Sequence, residues 1–325
     1  MCSRVTYIGP AGGVVTGRTM DWFMSLNIAA WALPAGIARE GGSRENPFTW
    51  TARYGSLTAT AYDQIAFDGI NTAGLTANLL YLPSAEYGAR DVSRPGMSVA
   101  AWIQWVLDSF ATVADAVAVL EQDPFQIVPI IVPGDAPPCA HFSLSDATGD
   151  SAICEYLDGG LVIHHGREYQ VMTNEPTYDK QLALTEYWTS LDGSMLPGTE
   201  RAADRFVRAT WYLSKALATD DEVMSVATVF SIIRNVSVPL LYGSDAEHPN
   251  ISPTIFRVVS DQGRRRYFIE LTDTPNVFWI DLDNLSLEAG AAVMRLEIDG
   301  GPVRAGESSA GFVAQSATYT FAPEA

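Results

Sequence analysis

The sequence opens Met1-Cys2 and holds only two further cysteines, Cys139 and Cys154. Removal of Met1 would leave a thiol and a free α-amine on one carbon. A cysteine thiol titrates near about 8.5 and an α-amine near about 7.7 to 8.0, so at neutral pH the two can supply an attacking sulfur and its proton carrier. The amine can hand that proton on to a leaving nitrogen. Such a residue is a compact nucleophile and base for amide cleavage. Position alone also fits a plainer reading, a small residue after the initiator. The stretch "GRTMDW" favours the chemical one, because Arg18 and Asp21 would be returned to Cys2 by a hairpin. The guanidinium would favour thiolate, and the carboxylate could hold the ammonium. By themselves, an Arg and an Asp at a strand end also make an ordinary surface ion pair.

Metal chemistry finds less support. The cysteines are odd in number, far apart and without a C-x-x-C pair; His164 and His165, adjacent in a strand, point to opposite faces. With no H-E-x-x-H, the sequence predicts no metal site, no cofactor and no disulfide framework.

The elements that must position these groups follow from periodicity. "SRVTYIG" and "VVTGRTMDW", divided by "GPAGG", predict a hairpin. "WTARYGSLTATAY" and "GLTANLLYL" read as further strands. In "MSVAAWIQWVLDSF" the apolar residues recur at helical spacing, and Thr112 to Asp115 resembles a capping box opening a second helix. "HFSLSDA", "SAICEYL", "LVIHH" and "YQVMTN" return to strands. Three helices follow: one with Leu184, Trp188 and Leu191 as its apolar face, one through Ala203 to Leu213, and "DEVMSVATVFSIIRN". "PTIFRVVS", "RRRYFIELTD", "NVFWIDL" and "VMRLEI" close the chain as strands. This order lacks regular βα alternation. It predicts an α+β protein with two antiparallel sheets covered by helices, not a doubly wound parallel sheet.

Composition narrows the partners. With 325 residues, 47% of them hydrophobic, the chain can build one large core, and no apolar run reaches the roughly 18 residues of a spanning helix. The 38 acidic against 20 basic residues give a net charge of −18, a field that repels nucleic acid and anionic membranes. No signal peptide is visible, so the chain reads as cytoplasmic as written, and as periplasmic if Met1 replaces a removed leader.

"MC", "GRTMDW", "VMTNEPTYDKQ" and "LPGTERAADRFVRA" together are similar to the choloylglycine hydrolases, N-terminal-nucleophile amidases that include penicillin V acylases and bile salt hydrolases. The likeness runs from Cys2 to at least "FSIIRNVSVP" near residue 238. It implies a single domain over 1–325, mature from Cys2, folded as a four-layer αββα sandwich, which hydrolyses a linear amide through an acyl-enzyme thioester. In that reading Cys2 is nucleophile and base, and Arg18 and Asp21 adjust its thiol and amine. Asn174 and the backbone N–H of Tyr81 are the oxyanion donors, and Arg205 is the distal active-site arginine. Without the resemblance, Asn174 could start a turn, Tyr81 could be strand core, and Arg201, Arg205 and Arg208 would be a solvated basic stripe.

The family likeness also makes the loops "WFMSLN", "AYDQIAFDG" and "IVPIIVPGDAPP" the walls of an acyl pocket, offering Trp22, Phe23, Tyr62, Phe67, Tyr81, Ile130 and Ile131. An aromatic at residue 81, where bile salt hydrolases usually carry Asn, favours a phenoxyacetyl or fatty acyl group over a steroid. The wording also resembles the Gram-negative branch, whose members cleave penicillin V and can deacylate N-acyl homoserine lactones. The implied partner is a small N-acyl substrate, and the implied assembly a dimer or tetramer, although the segment from Asn174 to Arg205 lacks the long hairpin that many Gram-positive members use for tetramer contacts. Two rivals stand beside the penicillin V acylase reading: a conjugated bile salt hydrolase, and a catalytically silent small-molecule binding protein on the same scaffold.

Overall fold

A computed structural model describes residues 2–131, 139–241, 243 and 251–324. The expected hairpin opens the chain: β1 (Cys2–Ile8) and β2 (Val14–Asp21) pair antiparallel, with Cys2 opposite Met20. Its turn closes through Gly9 N–H to Gly13 C=O at 2.7 Å, and Gly12 sits at φ +92°, where a side chain would be strained. β3 (Ala29–Leu33) enters the second sheet, and β4 (Ala38–Glu40) pairs with β5 (Thr49–Thr51) as a separate ribbon. β6 (Ser56–Ala61), β7 (Ile65–Asn71) and β8 (Thr76–Tyr81) form a meander.

β7 corrects the expectation that 61–69 is a loop. Asp68 and Gly69 look like turn residues, yet both are buried in the strand. Gly69 is there because helix α1 (Val99–Ser109) crosses it: a Cβ would lie 2.8 Å from Leu107 Cδ1 and 2.6 Å from the Leu57 carbonyl oxygen. Only Tyr62 to Gln64 remain as a turn, with Tyr62 at φ +56° and Asp63 at φ +50°.

β9 (Gly96–Ser98) leads into α1, whose cap is the Ser98 hydroxyl accepting from Ala100 N–H at 3.2 Å. α2 (Val113–Leu120) is capped as expected by Thr112 Oγ1, which accepts from Asp115 N–H at 3.1 Å. β10 (Gln126–Val128) pairs with β9. β11 (Ala140–Ser145), β12 (Ser151–Leu157), β13 (Gly160–His165) and β14 (Val171–Met172) follow, then α3 (Tyr178–Thr189), α4 (Ala202–Lys215) and α5 (Glu222–Asn235). β15 (Thr254–Asp261), β16 (Arg266–Leu271), β17 (Val277–Asp281), β18 (Met294–Glu297), β19 (Gly306–Glu307) and β20 (Val313–Ala314) end the chain.

Among the described residues the strands make a seven-stranded sheet, β14-β1-β2-β15-β16-β17-β19, and a nine-stranded one, β13-β12-β11-β8-β7-β6-β3-β18-β20. Both are antiparallel except for the β17–β19 pair. α4 and α5 cover the first sheet and α1 the second, while β1 meets β8 between the sheets, which gives the αββα layering the resemblance implied. One apolar cluster runs through both sheets and their helices.

α3 lies where expected but is turned. Tyr178, Gln181 and Thr185 are inside, whereas Leu184 is 44% exposed and Leu191 lies beyond the helix end. The polar Gln181 is inside because its amide donates to the carbonyls of Asn174 at 2.6 Å and Pro176 at 2.8 Å, buried acceptors that an apolar stripe could not satisfy. No helix among the described residues is long and apolar enough to cross a membrane.

Candidate active site

Strand alternation sorts the first motif onto two faces. Successive side chains on β2 point to opposite sides, so Arg18 and Met20 share the face of their β1 partners Arg4 and Cys2, while Asp21 takes the other. The Cys2 sulfur thus looks toward the nine-stranded sheet. There Arg18 Nη2 lies 3.3 Å from it and donates to the Leu79 carbonyl at 3.0 Å; Met20 Sδ is 3.7 Å from the sulfur. On the helix side, Asp21 Oδ1 accepts from Thr254 Oγ1 at 2.6 Å and Oδ2 is 3.5 Å from Arg205 Nη1.

Arg18 is fully buried, and its counter-charge comes from the opposite sheet. Asp68 Oδ2 lies 3.6 Å from Arg18 Nη1 and accepts from Asn78 Nδ2 at 2.8 Å; Oδ1 accepts from Tyr267 at 2.7 Å. Burial pushes the Asp68 carboxyl up from 3.8 to about 6 despite Arg18, Tyr267 and Asn78, all of which pull it down. Its folded value therefore exceeds its unfolded one, so its contribution to stability is complete below about pH 4 and is lost as pH rises through about 6. Compared with Asp68→Asn, which cannot titrate, the native protein should lose relative thermal stability across that window. Parallel Tm profiles from about pH 4 to about 7.5 would contradict the assignment.

Asn174 sits in the loop from β14 to α3, 172 residues from Cys2. Its Oδ1 accepts from the Cys2 backbone nitrogen at 2.6 Å and from Arg205 Nη2 at 3.0 Å, and its Nδ2 donates to the Tyr81 carbonyl at 2.6 Å. Those partners fix the amide's orientation, and the second Nδ2 hydrogen remains for a further acceptor. Leu82 N–H bonds to the Cys139 carbonyl on β11's side of β8, so the alternating ladder directs the Tyr81 N–H to the opposite edge, toward Asn174. Arg205 is fully buried, which overturns the solvated-stripe reading for it. It holds the Cys2 carbonyl at 2.9 Å, the Glu200 carbonyl at 2.8 Å and the Ser3 hydroxyl, while Arg201 is exposed.

The sulfur borders an apolar cavity of about 100 Å³. Of the residues named for the acyl pocket, Trp22, Tyr62, Phe67, Tyr81 and Ile130 line it. Two expected residues do not. Phe23 turns into a separate groove beside Leu271 and Phe278, and Ile131 is 62% exposed. In each case the preceding residue, Trp22 or Ile130, lines the cavity instead. Residues 132–138 of the third wall lie outside the described residues. Tyr62 is held at the rim by its N–H to the Leu26 carbonyl at 2.8 Å and its hydroxyl to the Ser25 carbonyl at 2.9 Å.

The profile of the linear amide C–N hydrolases, choloylglycine hydrolase family, matches residues 2–295. The chain belongs to the choloylglycine hydrolase family. It is an enzyme that hydrolyses linear amide C–N bonds. It is 42% identical over 321 residues to a penicillin V acylase from Pectobacterium atrosepticum, covering 91% of this chain and 85% of that one. The solved penicillin V acylase from Agrobacterium tumefaciens matches with a TM-score of 0.92 at 46% identity, over 99% of this chain and 100% of that one. A conjugated bile acid hydrolase from Clostridium perfringens, at 21% identity and TM-score 0.78 over 95% of this chain and 98% of that one, shares the fold.

In this choloylglycine hydrolase, sequence reasoning missed Asp68, Met20 and Thr254 beside the motif residues, and Leu26, Ile65, Leu79, Val99 and Cys139 around the cavity. A lone carboxylate in the otherwise apolar "IAFDGI" was the available signal for Asp68, because a buried charge requires partners. His164 and His165 part as expected: His164 packs against Tyr178, and His165 Nε2 lies 2.8 Å from Asp150.

Proposed function

We propose that loss of Met1 frees the Cys2 amine, and that the mature protein acts as one domain from Cys2, hydrolysing N-acyl amides with an apolar acyl part, penicillin V foremost. The amine takes the thiol proton, and sulfur attacks the carbonyl carbon. Asn174 Nδ2–H and the Tyr81 N–H receive the developing oxyanion. The ammonium then protonates the leaving nitrogen, the C–N bond breaks, and a thioester remains. Water attacks the thioester while the amine removes a proton, and the carboxylic acid departs with the thiol restored. Arg18 favours the thiolate from the cavity side. Asp21 and Arg205 hold the terminal residue from the helix side, the former beside its ammonium and the latter on its carbonyl.

One observation carries this reading: the Cys2 sulfur borders the apolar cavity while its own nitrogen is bonded to Asn174, so attacking atom, proton carrier and oxyanion donor adjoin. The cavity's size supports the acyl choice. About 100 Å³ is the scale of one ring, since a cavity of about 150 Å³ holds a benzene. A steroid nucleus with hydroxyls suits it poorly. Aliphatic lining by Leu26, Ile65, Val99 and Ile130 also favours a fatty acyl chain, so N-acyl homoserine lactones form a second substrate class. The relatives named penicillin V acylases lend the same support.

The test is intact-mass verification that Met1 is absent, followed by kcat/KM on that sample for penicillin V, a long-chain N-acyl homoserine lactone and a glycine-conjugated bile salt. Penicillin V should rank first. A higher value for the bile salt would overturn the substrate assignment, and no turnover of any of them by the Met1-free protein would overturn the mechanism.

A further inference from the structure

Two buried side chains that the scheme above does not use reach the loop carrying Asn174. His141 on β11 and Glu155 on β12 are each 0% exposed, and both strands belong to the nine-stranded sheet, whereas β14, which leads into the loop, belongs to the seven-stranded one. His141 Nδ1 lies 3.0 Å from Glu155 Oε1. The remaining ends of the pair point outward: His141 Nε2 to the Thr173 carbonyl at 2.9 Å, and Glu155 Oε2 to the Tyr178 N–H at 3.0 Å. Thr173 directly precedes Asn174, and Tyr178 begins α3. The pair therefore grips the loop at both ends.

The bond types leave little freedom. A carbonyl can only accept, so His141 Nε2 carries a hydrogen; a backbone N–H can only donate, so Glu155 Oε2 accepts. One proton remains between Nδ1 and Oε1, and whichever atom holds it the unit is net neutral. A neutral, fully bonded unit can stand in the interior without the penalty of a lone buried charge. Gln181 completes the frame from α3, accepting from Thr173 Oγ1 at 2.7 Å while it binds the Asn174 carbonyl.

We propose that His141 and Glu155 form a positioning unit which, without touching substrate, fixes Asn174 where its amide meets the oxyanion. This rests on the oxyanion role given to Asn174 above. A misplacement of about 1 Å near the chemistry can cost about a hundredfold. Glu155→Leu, which cannot hold either end, should lower kcat at least about tenfold with KM within about threefold. Glu155→Gln can accept from Tyr178 N–H with its oxygen and donate to Nδ1 with its nitrogen. It should keep kcat within about threefold of the native value, because the bonding pattern and not the charge is what holds the loop. His141→Gln keeps only one end of the bridge and should resemble Glu155→Leu.

The experiment measures kcat, KM and the rate of Cys2 alkylation by iodoacetamide for these variants, alone and combined with Asn174→Ala. The proposal expects alkylation to be unchanged, and the Glu155→Leu or His141→Gln loss to vanish to within about twofold once Asn174 is gone. An undiminished loss in the Asn174→Ala background, parallel slowing of alkylation, or full kcat in both Glu155→Leu and His141→Gln would overturn it. Should Glu155→Leu not fold, His141→Gln decides by the same cycle. If Asn174→Ala alone leaves kcat intact, the oxyanion reading is what fails.

Discussion

Cys2→Ala, verified free of Met1, should lose amide hydrolysis by about 10⁵-fold or more while still folding, the scale seen when a hydrolase loses its nucleophile. The second thiol on the same cavity cannot substitute. Burial pushes the Cys139 thiol up, away from the thiolate, and Arg18 lies against the Cys2 sulfur, at 3.3 Å. The alanine retains the backbone nitrogen and carbonyl that Asn174 and Arg205 bind, so the strand stays anchored. Release of the free amine from penicillin V, followed over days, checks the loss. Residual turnover within about tenfold of the native rate would mean another group attacks the carbonyl.

Asn174→Ala should lower kcat by about 10² to 10³, or about 2.7 to 4 kcal/mol, with a smaller change in KM, since an oxyanion donor acts mainly in the transition state. Alanine also removes the acceptor for the Cys2 nitrogen and for Arg205 Nη2, so the substitution alone does not separate donor from anchor. Asn174→Asp does. The carboxylate keeps the acceptor oxygen for both partners but loses the N–H and sets negative charge beside the developing oxyanion. If donation dominates, Asn174→Asp is no better than Asn174→Ala; if anchoring dominates, it recovers most of the rate. Single-turnover thioester formation on the two variants distinguishes the cases.

The parts of this enzyme legible in its sequence are those whose signal is local. The Gly-Pro turn between two β-rich runs marked the first hairpin, and the hairpin's register carries Arg18 to the sulfur. Residue parity alone, read along "GRTMDW", would also have separated Arg18 from Asp21. Asn174 and Arg205 are different. Their contacts with Cys2 span 172 and 203 residues, distances over which no periodicity speaks, and only the family resemblance singled them out. Local reasoning failed where a polar residue serves a distant partner. Gln181 turned α3 against its apolar stripe, Asp68 made a strand look like a loop, and Arg205 left its basic neighbours for the interior. Phe23 and Ile131 failed for the reverse reason, because loop composition does not say which of two adjacent apolar residues faces inward.

Cys2, Arg18 with Asp21, and Thr254 stand on three adjoining interior strands, whereas Leu26, Tyr62 and Ile130 come from connections beyond them. The residues on those strands share the cooperative fate of the sheet, whereas the cavity residues on connections belong to segments freer to vary. Under the proposed mechanism, drift in substrate taste can therefore proceed at these connections, residue by residue, while the sulfur and its neighbours on the adjoining strands are inherited intact.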